Sequence, residues 1–479
     1  MARPGVEIQT QTAPPPRSAP TDTGVAFMAG LCDKAILAPV VVGNLDAFIQ
    51  ACGARVSYSV LYDAVDVFFR EGGNQVYISR VVGPGAVIAH ANLNDSGAAV
   101  SLVANAKSPG AWGNTISVQV MNGAVSGYMV QIKNGATIVE SSPDFATQQD
   151  AVAWSQQHSS YVTFVLGASA NPPAVAAAVT LGSGSDDRSN ITDVQWQTAL
   201  DRFTADLGPG QVLSPGRTSS VGHQQLEQHA GTHNRVALLD LPDSYDVTAL
   251  STSAGDASST GDGQYAASYA PWVVVPGVVP GTTRTVPMSA AVAGLTARVD
   301  AVENPNTPAA GKNGELRYAI GLSQPVWSDS QRSTLNLNGV NVVRPFAGTF
   351  RVYGCRSLAD PVLNPDWLDF SNVRYLMWLS ARCQEVGESF VFEPIDGQGH
   401  TISDFGAALT AVCQLDWSAG IIYGQTASDA FSVDVGSFVN TPQTIADNQL
   451  RAVVAVRPSP FAELVTIVIV NVPSNEAVA

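Results

Sequence analysis

The stretch Val67-Phe-Phe-Arg-Glu-Gly-Gly-Asn-Gln-Val-Tyr-Ile-Ser-Arg-Val81 decides how this chain is read. An apolar run stops at a glycine pair, as helices do, and a run with Val76, Ile78 and Val81 then reads as a buried strand. The pattern predicts a helix from about Ser59 to Glu71 and a strand over Gln75–Val82. Upstream, short strands are expected at Val25–Gly30 and Val40–Val42, and Asn44 is a good N-cap for a helix carrying Leu45, Phe48 and Ile49. Strands alternating with helices predict an α/β sheet.

Outward from this core the texture changes. Residues 1–24 hold Pro4, Pro14, Pro15, Pro16 and Pro20 among Gln, Thr and Ser, which predicts an extended arm. Within it Val6 and Ile8 alternate with Glu7 and Gln9, a period-2 pattern able to add to another sheet edge. Residues 83–270 are rich in Ala, Ser and Gly, with weak strands at Ile116–Val120, Tyr128–Ile132 and Val162–Leu166 and one clear helix, Asp193–Ala205. They read as material inserted into or added onto the core. Ser251–Gly263 is almost pure Ser, Thr, Gly, Asp and Ala and is expected to be a mobile loop.

The last third is the most regular. Asn364-Pro365-Asp366 starts a helix that runs through Val373, Leu376, Met377, Leu379 and Cys383. A second helix is expected at Thr401–Trp417 and strands at Ala430–Val435 and Leu450–Arg457. The segment Leu464-Val-Thr-Ile-Val-Ile-Val-Asn-Val472 is apolar at nearly every position, so it must be covered on both faces by its own domain or by a neighbour. A polar arm at one end and a doubly buried strand near the other is what strand exchange between subunits requires.

The totals suit a chain that covers itself with partners. At roughly 100–200 residues per domain, 479 residues mean several domains. Charged residues are 13%, about half the ordinary share, which leaves much neutral surface for partners. The formal charge of -16 argues against nucleic-acid binding, which needs a basic footprint. Five scattered cysteines, mostly in apolar segments, fit a reducing compartment better than a disulfide framework. Neither an apolar signal core nor a run of about 18 apolar residues is present, so no membrane insertion is expected.

Chemistry is sparse. His223, His229 and His233 lie close together, but without a His-Glu-x-x-His pattern they read as a solvated helix face and not a metal site. Gly210–Gly216 has the wrong spacing for a phosphate loop and no lysine. Gly182-Ser-Gly-Ser-Asp-Asp187 lacks the repeated acidic ligands of a calcium loop and reads as a turn. No Gly-x-Ser-x-Gly elbow supports a Ser-His-Asp triad. Trp112 reads as the anchor of a turn onto the sheet beneath. No catalytic residue, metal site or cofactor is expected.

Several blocks together resemble the sheath proteins of contractile phage tails and related injection machines. They are Arg3-Pro-Gly-Val-Glu-Ile8, Val25–Gly30, Leu45-Asp-Ala-Phe48, Val67–Val81, Ser108-Pro-Gly-Ala-Trp-Gly-Asn114, Leu181–Asp186, Tyr269-Ala-Pro-Trp272, Val286–Asp300, Val352–Leu358, Asn372-Val-Arg374 and Phe390-Val-Phe-Glu-Pro394, in the family's order. The chain departs from the family at Arg374-Tyr375, where a paired Arg is usual, at Ser185-Asp186-Asp187, and after Asp300.

The resemblance implies a mixed α/β, multi-domain subunit: a discontinuous α/β core, an inserted β-rich outer domain, and extended terminal arms for strand exchange. The implied divisions are an arm 1–24, a first core segment 25–105, an outer insertion 106–180, a subtilisin-like middle domain 181–330, and a C-terminal inner domain 331–479. The implied function is non-enzymatic: stacked hexameric rings around an inner tube that contract to drive the tube through a target envelope. Implied partners are the chain itself as a helical homopolymer, an inner tube protein, and baseplate and tail-terminator proteins, assembled in the bacterial cytoplasm into a phage tail or injection particle. Strand-exchange candidates are Val6, Ile8, Val453, Val454, Val456, Leu464, Ile467 and Ile469. A helix over Asp366–Val386 offers Arg374 and Arg382 on about one face for an acidic tube. Another tail or surface-array protein and, last, a subtilisin-like hydrolase are the alternatives.

Overall fold

The computed structural model describes residues 23–259 and 261–463. It forms two compact units, Met1–Ala381 and Arg382–Ala479.

The first unit is built on a nine-stranded sheet in the order Glu315–Leu316, Thr349–Val352, Val340–Phe346, Ala266–Ala270, Val236–Asp240, Gln211–Leu213, Ala26–Gly30, Val76–Arg80, Val40–Val42. The six strands from Val340–Phe346 to Val76–Arg80 are parallel, and antiparallel strands close both edges. Ala26–Gly30 is buried throughout. Ala26 and Met28 enter one apolar cluster with the helices Leu45–Cys52, Leu61–Glu71 and Met288–Val302, while Phe27 and Ala29 enter another. That second cluster holds the helices Asp193–Asp201, Ser220–Thr232, Val247–Ser258 and Asp329–Leu337. Both faces of the sheet are therefore covered, which accounts for the central strand Ala26–Gly30 being apolar at every position.

Local chemistry accounts for the first elements. Asn44 Oδ1 accepts from Ala47 N at 2.8 Å and starts the helix Leu45–Cys52. Gly72, at φ 121, ends Leu61–Glu71 in a conformation other residues resist. Met288–Val302 crosses that helix so closely that a Cβ on Gly294 would lie 2.3 Å from the Phe68 carbonyl oxygen. Ion pairs tie the same region together: Arg284 bonds Asp63 and Asp66, and Arg298 lies 3.2 Å from Glu71.

Three expectations need correction. Ser251–Gly263 is not a loop: Val247–Ser258 is a helix, capped by Asp246, whose carboxylate accepts from Thr248 N and Ala249 N. Leu250, Ala254 and Ala257 recur on one buried face, and their small size lets the helix lie close against the sheet. The β-rich insertion begins before residue 106, because His90–Asn94 and Val100–Ala106 pair with each other and the latter with Val162–Leu166. Its apolar cluster runs from Ala89 to Leu181 and includes side chains of a second, four-stranded sheet of Val179–Thr180, Ile116–Asn122, Tyr128–Asn134 and Thr137–Ser141. Finally, Val340–Phe346 belongs to the central sheet and not to a C-terminal domain, since Val340, Asn341, Val342 and Val343 are buried beside Ala266–Ala270.

The second unit contains the helix His400–Ser418, a two-stranded antiparallel sheet of Phe431–Asp434 and Val453–Val456, and the short helix Pro442–Ala446. Among its described residues the fully buried apolar side chains are Leu409, Cys413, Ile421, Ile422 and Ala430. Val391, Phe392, Leu415, Tyr423, Phe438, Val453 and Phe461 are exposed.

Candidate subunit interfaces and the junction of the insertion

Val453, Val454 and Val456 sit on the strand Val453–Val456, which runs from Val453 opposite Asp434 to Val456 opposite Phe431. Val453 is 55% exposed and its two neighbours in the group are half-buried. Two strands alone are marginal in water and leave ladder groups along their outer edges. The structure thus brings three of the eight strand-exchange candidates onto one short strand; Val6, Ile8, Leu464, Ile467 and Ile469 lie outside the described residues.

Arg374 and Arg382, expected on about one helix face for an acidic tube, are each held by a carboxylate of the chain itself. Arg374 is 1% exposed and its guanidinium bonds Asp300 Oδ1, inside the first unit. The cause is the apolar packing of Phe370, Val373 and Met377, which carries Arg374 into the interior. Arg382, in the second unit, bonds Asp416 Oδ1 at 2.6 Å.

Histidines 223 and 229 are also interior, not solvated. His223 Nε2 lies 3.0 Å from the Asp240 carbonyl. Arg235 Nη1 donates to His229 Nε2 at 2.8 Å, and His229 stacks on His233 at 4.3 Å. A guanidinium can only donate, so the His229 ring is neutral. Burial, followed by the nearby charges of Arg235 and His233, lowers its pKa to about 3. Asp240 is spent on structure: it accepts from Ser289 N and Ser289 Oγ at the start of Met288–Val302 and from Gly216 N. Among the described residues no group of three His, Cys, Asp or Glu is placed to hold a metal ion.

The most elaborate polar arrangement joins the insertion to the sheet, and three of the quoted blocks meet there. Arg80, at the end of its strand and 0% exposed, gives hydrogen bonds to the carbonyls of Cys32 at 3.1 Å, Asp33 at 2.8 Å and Pro109 at 2.6 Å, and to the carboxylate of Asp186. Arg188 holds the other Asp186 oxygen at 2.8 Å. Gly110 passes so close, at φ 136, that a Cβ would lie 2.5 Å from Asp186 Oδ1. Asn114 Nδ2 donates to the Gly184 carbonyl and Gly184 N to Asn114 Oδ1. The chain leaving the core and the chain returning are further zipped through Val87 opposite Ser185 and His90 opposite Gly182. Trp112 does anchor this turn: it is 7% exposed, and Nε1 donates to Ser108 Oγ at 3.1 Å. Sequence reasoning singled out Ser108–Asn114 and Gly182–Asp187 but missed Arg80, whose one signal was a cation inside an apolar strand.

Comparison with known proteins places this geometry. Residues 212–358 match the family model of the phage tail sheath protein central domain. No curated protein matches the chain by sequence. Among solved structures, the chain is similar to the sheath tail protein of Listeria innocua, with 14% identity and a TM-score of 0.62 over 87% of this chain and 89% of that one. The sheath tail protein of Desulfitobacterium hafniense gives 14% identity and a TM-score of 0.56 over 90% and 93%. The anti-feeding prophage helical sheath in its contracted state gives 16% identity and a TM-score of 0.58 over 98% and 99%. Residues 212–358 thus match the model of the phage tail sheath central domain, and the chain as a whole shares the fold of tail sheath proteins.

Proposed function

We propose that the chain is the structural subunit of a contractile sheath, polymerising as stacked hexameric rings around an inner tube and contracting to drive that tube through a target envelope. The observation that carries this is the second unit, which among its described residues has a two-stranded sheet, few buried apolar side chains, and Val391, Phe392, Leu415 and Phe438 exposed. Such a unit needs neighbours to complete its burial. Strands donated by other copies, through Val6 and Ile8 at one end and Leu464, Ile467 and Ile469 at the other, would extend the sheet of Val453, Val454 and Val456 by β-augmentation. The likeness to a helical sheath recorded in a contracted state supports the same reading. The partners in this reading are further copies, a tube protein, a baseplate and a tail terminator, assembled in the bacterial cytoplasm into a phage tail or tail-like particle.

The role is structural rather than catalytic. Asp240, Ser289 and His223, which a hydrolase reading would recruit, are committed to a helix start and a backbone carbonyl. Negative-stain electron microscopy of the untagged protein tests the proposal, with long striated tubes expected. Removing Met1–Pro20 is expected to leave a folded monomer that forms none, and normal tubes from that truncation would overturn the strand-exchange reading.

A further inference from the structure

The doubly wound sheet has a topological switch between Ala26–Gly30 and Gln211–Leu213, because the chain winds from the first strand toward Val76–Arg80 and later, on the other side, from Gln211–Leu213 toward Val340–Phe346. Clefts form outside the carboxyl ends of strands at such a point. One does here, with a volume of about 490 Å³. Its walls include Tyr58, Trp196 and Trp272, with Val56, Val60 and Pro215 between them. Tyr58 is 38% exposed. The charges at its rim are already engaged: Arg55 with Asp63 at 2.8 Å, and Arg217 with Asp193 and Gln225 at 2.6 Å each. Arg188 and Arg217 also lie over one face of the Tyr58 and Trp196 rings, at 3.8 and 5.0 Å, leaving the other faces to a ligand. What the cleft offers a ligand is aromatic and aliphatic surface, which suits a proline-rich extended chain better than an anion.

Aromatic-lined grooves of this kind take polyproline II segments, whose rigid form loses little entropy on docking. This chain has a sequence of that composition, Pro14-Pro-Pro-Arg-Ser-Ala-Pro20. Its reach matches. Thr23 is buried, and its Oγ1 donates to Asp300 Oδ2 at 2.5 Å near the end of Met288–Val302. The floor of the cleft lies at the other end of that helix, where a Cβ on Gly216 would meet Pro287 at 3.5 Å and Val60 at 3.1 Å. From Met288 to Asp300 a helix rises about 18 Å. From Thr23 back to Pro16 a polyproline chain spans about 22 Å.

We propose that Pro14–Pro20 docks in the Tyr58–Trp196–Trp272 cleft of its own subunit, as a strap that fixes where the first residues of the arm leave the body. The test is trypsin cleavage after Arg17 in the full-length, unassembled protein, compared with a synthetic peptide of residues 8–22. The bond is expected to be cut at least tenfold more slowly in the protein, and equal rates would overturn the proposal. The Tyr58→Ser, Trp196→Ser variant is expected to be cut at nearly the peptide rate. So is a Pro14→Gly, Pro15→Gly, Pro16→Gly variant, which leaves the core intact, compared with its own matched peptide; protection surviving in both would overturn the cleft assignment. Protection unchanged over a hundredfold dilution places the strap on its own subunit, and protection lost on dilution refutes that. Because the assay uses unassembled protein, its failure and failure of tube formation are separate results.

Discussion

Burying a guanidinium unpaired costs several kcal/mol, and Arg80 escapes that cost by placing its donors on three carbonyls and the Asp186 carboxylate. Removing one partner leaves the other stranded, so Asp186→Ala is expected to lower unfolding stability by about 3–5 kcal/mol in denaturant titration. Arg80→Met combined with Asp186→Leu should cost clearly less than the two single changes summed, and simple additivity would show that the pair is not coupled. His229 supplies a pH-dependent counterpart. The unfolded side chain takes a proton near 6.5 while the folded one does not until about 3. Its contribution is therefore complete above pH 6.5, and the native state loses about 1.4 kcal/mol per pH unit below that. The urea midpoint should fall between pH 7 and 5, less steeply in His229→Gln; identical slopes would count against the assignment.

Among the elements, the helix pair Leu61–Glu71 and Met288–Val302 depends on Gly294, where the Phe68 carbonyl leaves no room for a Cβ. Gly294→Val must push the helices apart, with an expected loss of about 1–3 kcal/mol or more in thermal unfolding. How legible each element was depended on where its information lay. Leu45–Cys52, Leu61–Glu71 and Val76–Arg80 were readable because Asn44, Gly72 and an unbroken apolar strand announce them locally. Val247–Ser258 was not, because a helix of Ser, Thr, Ala and Gly is made stable by the sheet against which Ala254 and Ala257 pack, and that contact is tertiary. Arg374 misled for the same reason: spacing gives a helix face but not whether Asp300 lies across from it. Arg80 could be noticed in the sequence, but its partners lie up to 106 residues away.

For the whole molecule, the two units differ in self-sufficiency. The first covers both faces of its sheet, whereas the second leaves Phe392 and Phe438 almost wholly in solvent. A substitution on its hairpin should therefore separate folding from assembly. Val453→Asp, at a side chain 55% exposed, is expected to shift monomer stability by no more than about 0.5 kcal/mol while abolishing tubes in electron micrographs. Tubes of normal length would show that this strand takes no part in contacts between copies. The overall α/β plan was legible in the sequence because alternation survives without partners. Which strand pairs with Val453–Val456 was not, since Phe431–Asp434 lies some twenty residues away across the helix Pro442–Ala446.

The junction at Arg80 also has a mechanical meaning. One guanidinium grips the core at Cys32 and Asp33, the insertion at Pro109 and the returning chain at Asp186, and the reciprocal Asn114–Gly184 amide bonds add a second tie between the insertion and that returning chain. A pull on the insertion is thus met by several of these bonds at one place. The insertion should behave as a lever rigidly seated on the core, transmitting torque instead of absorbing it.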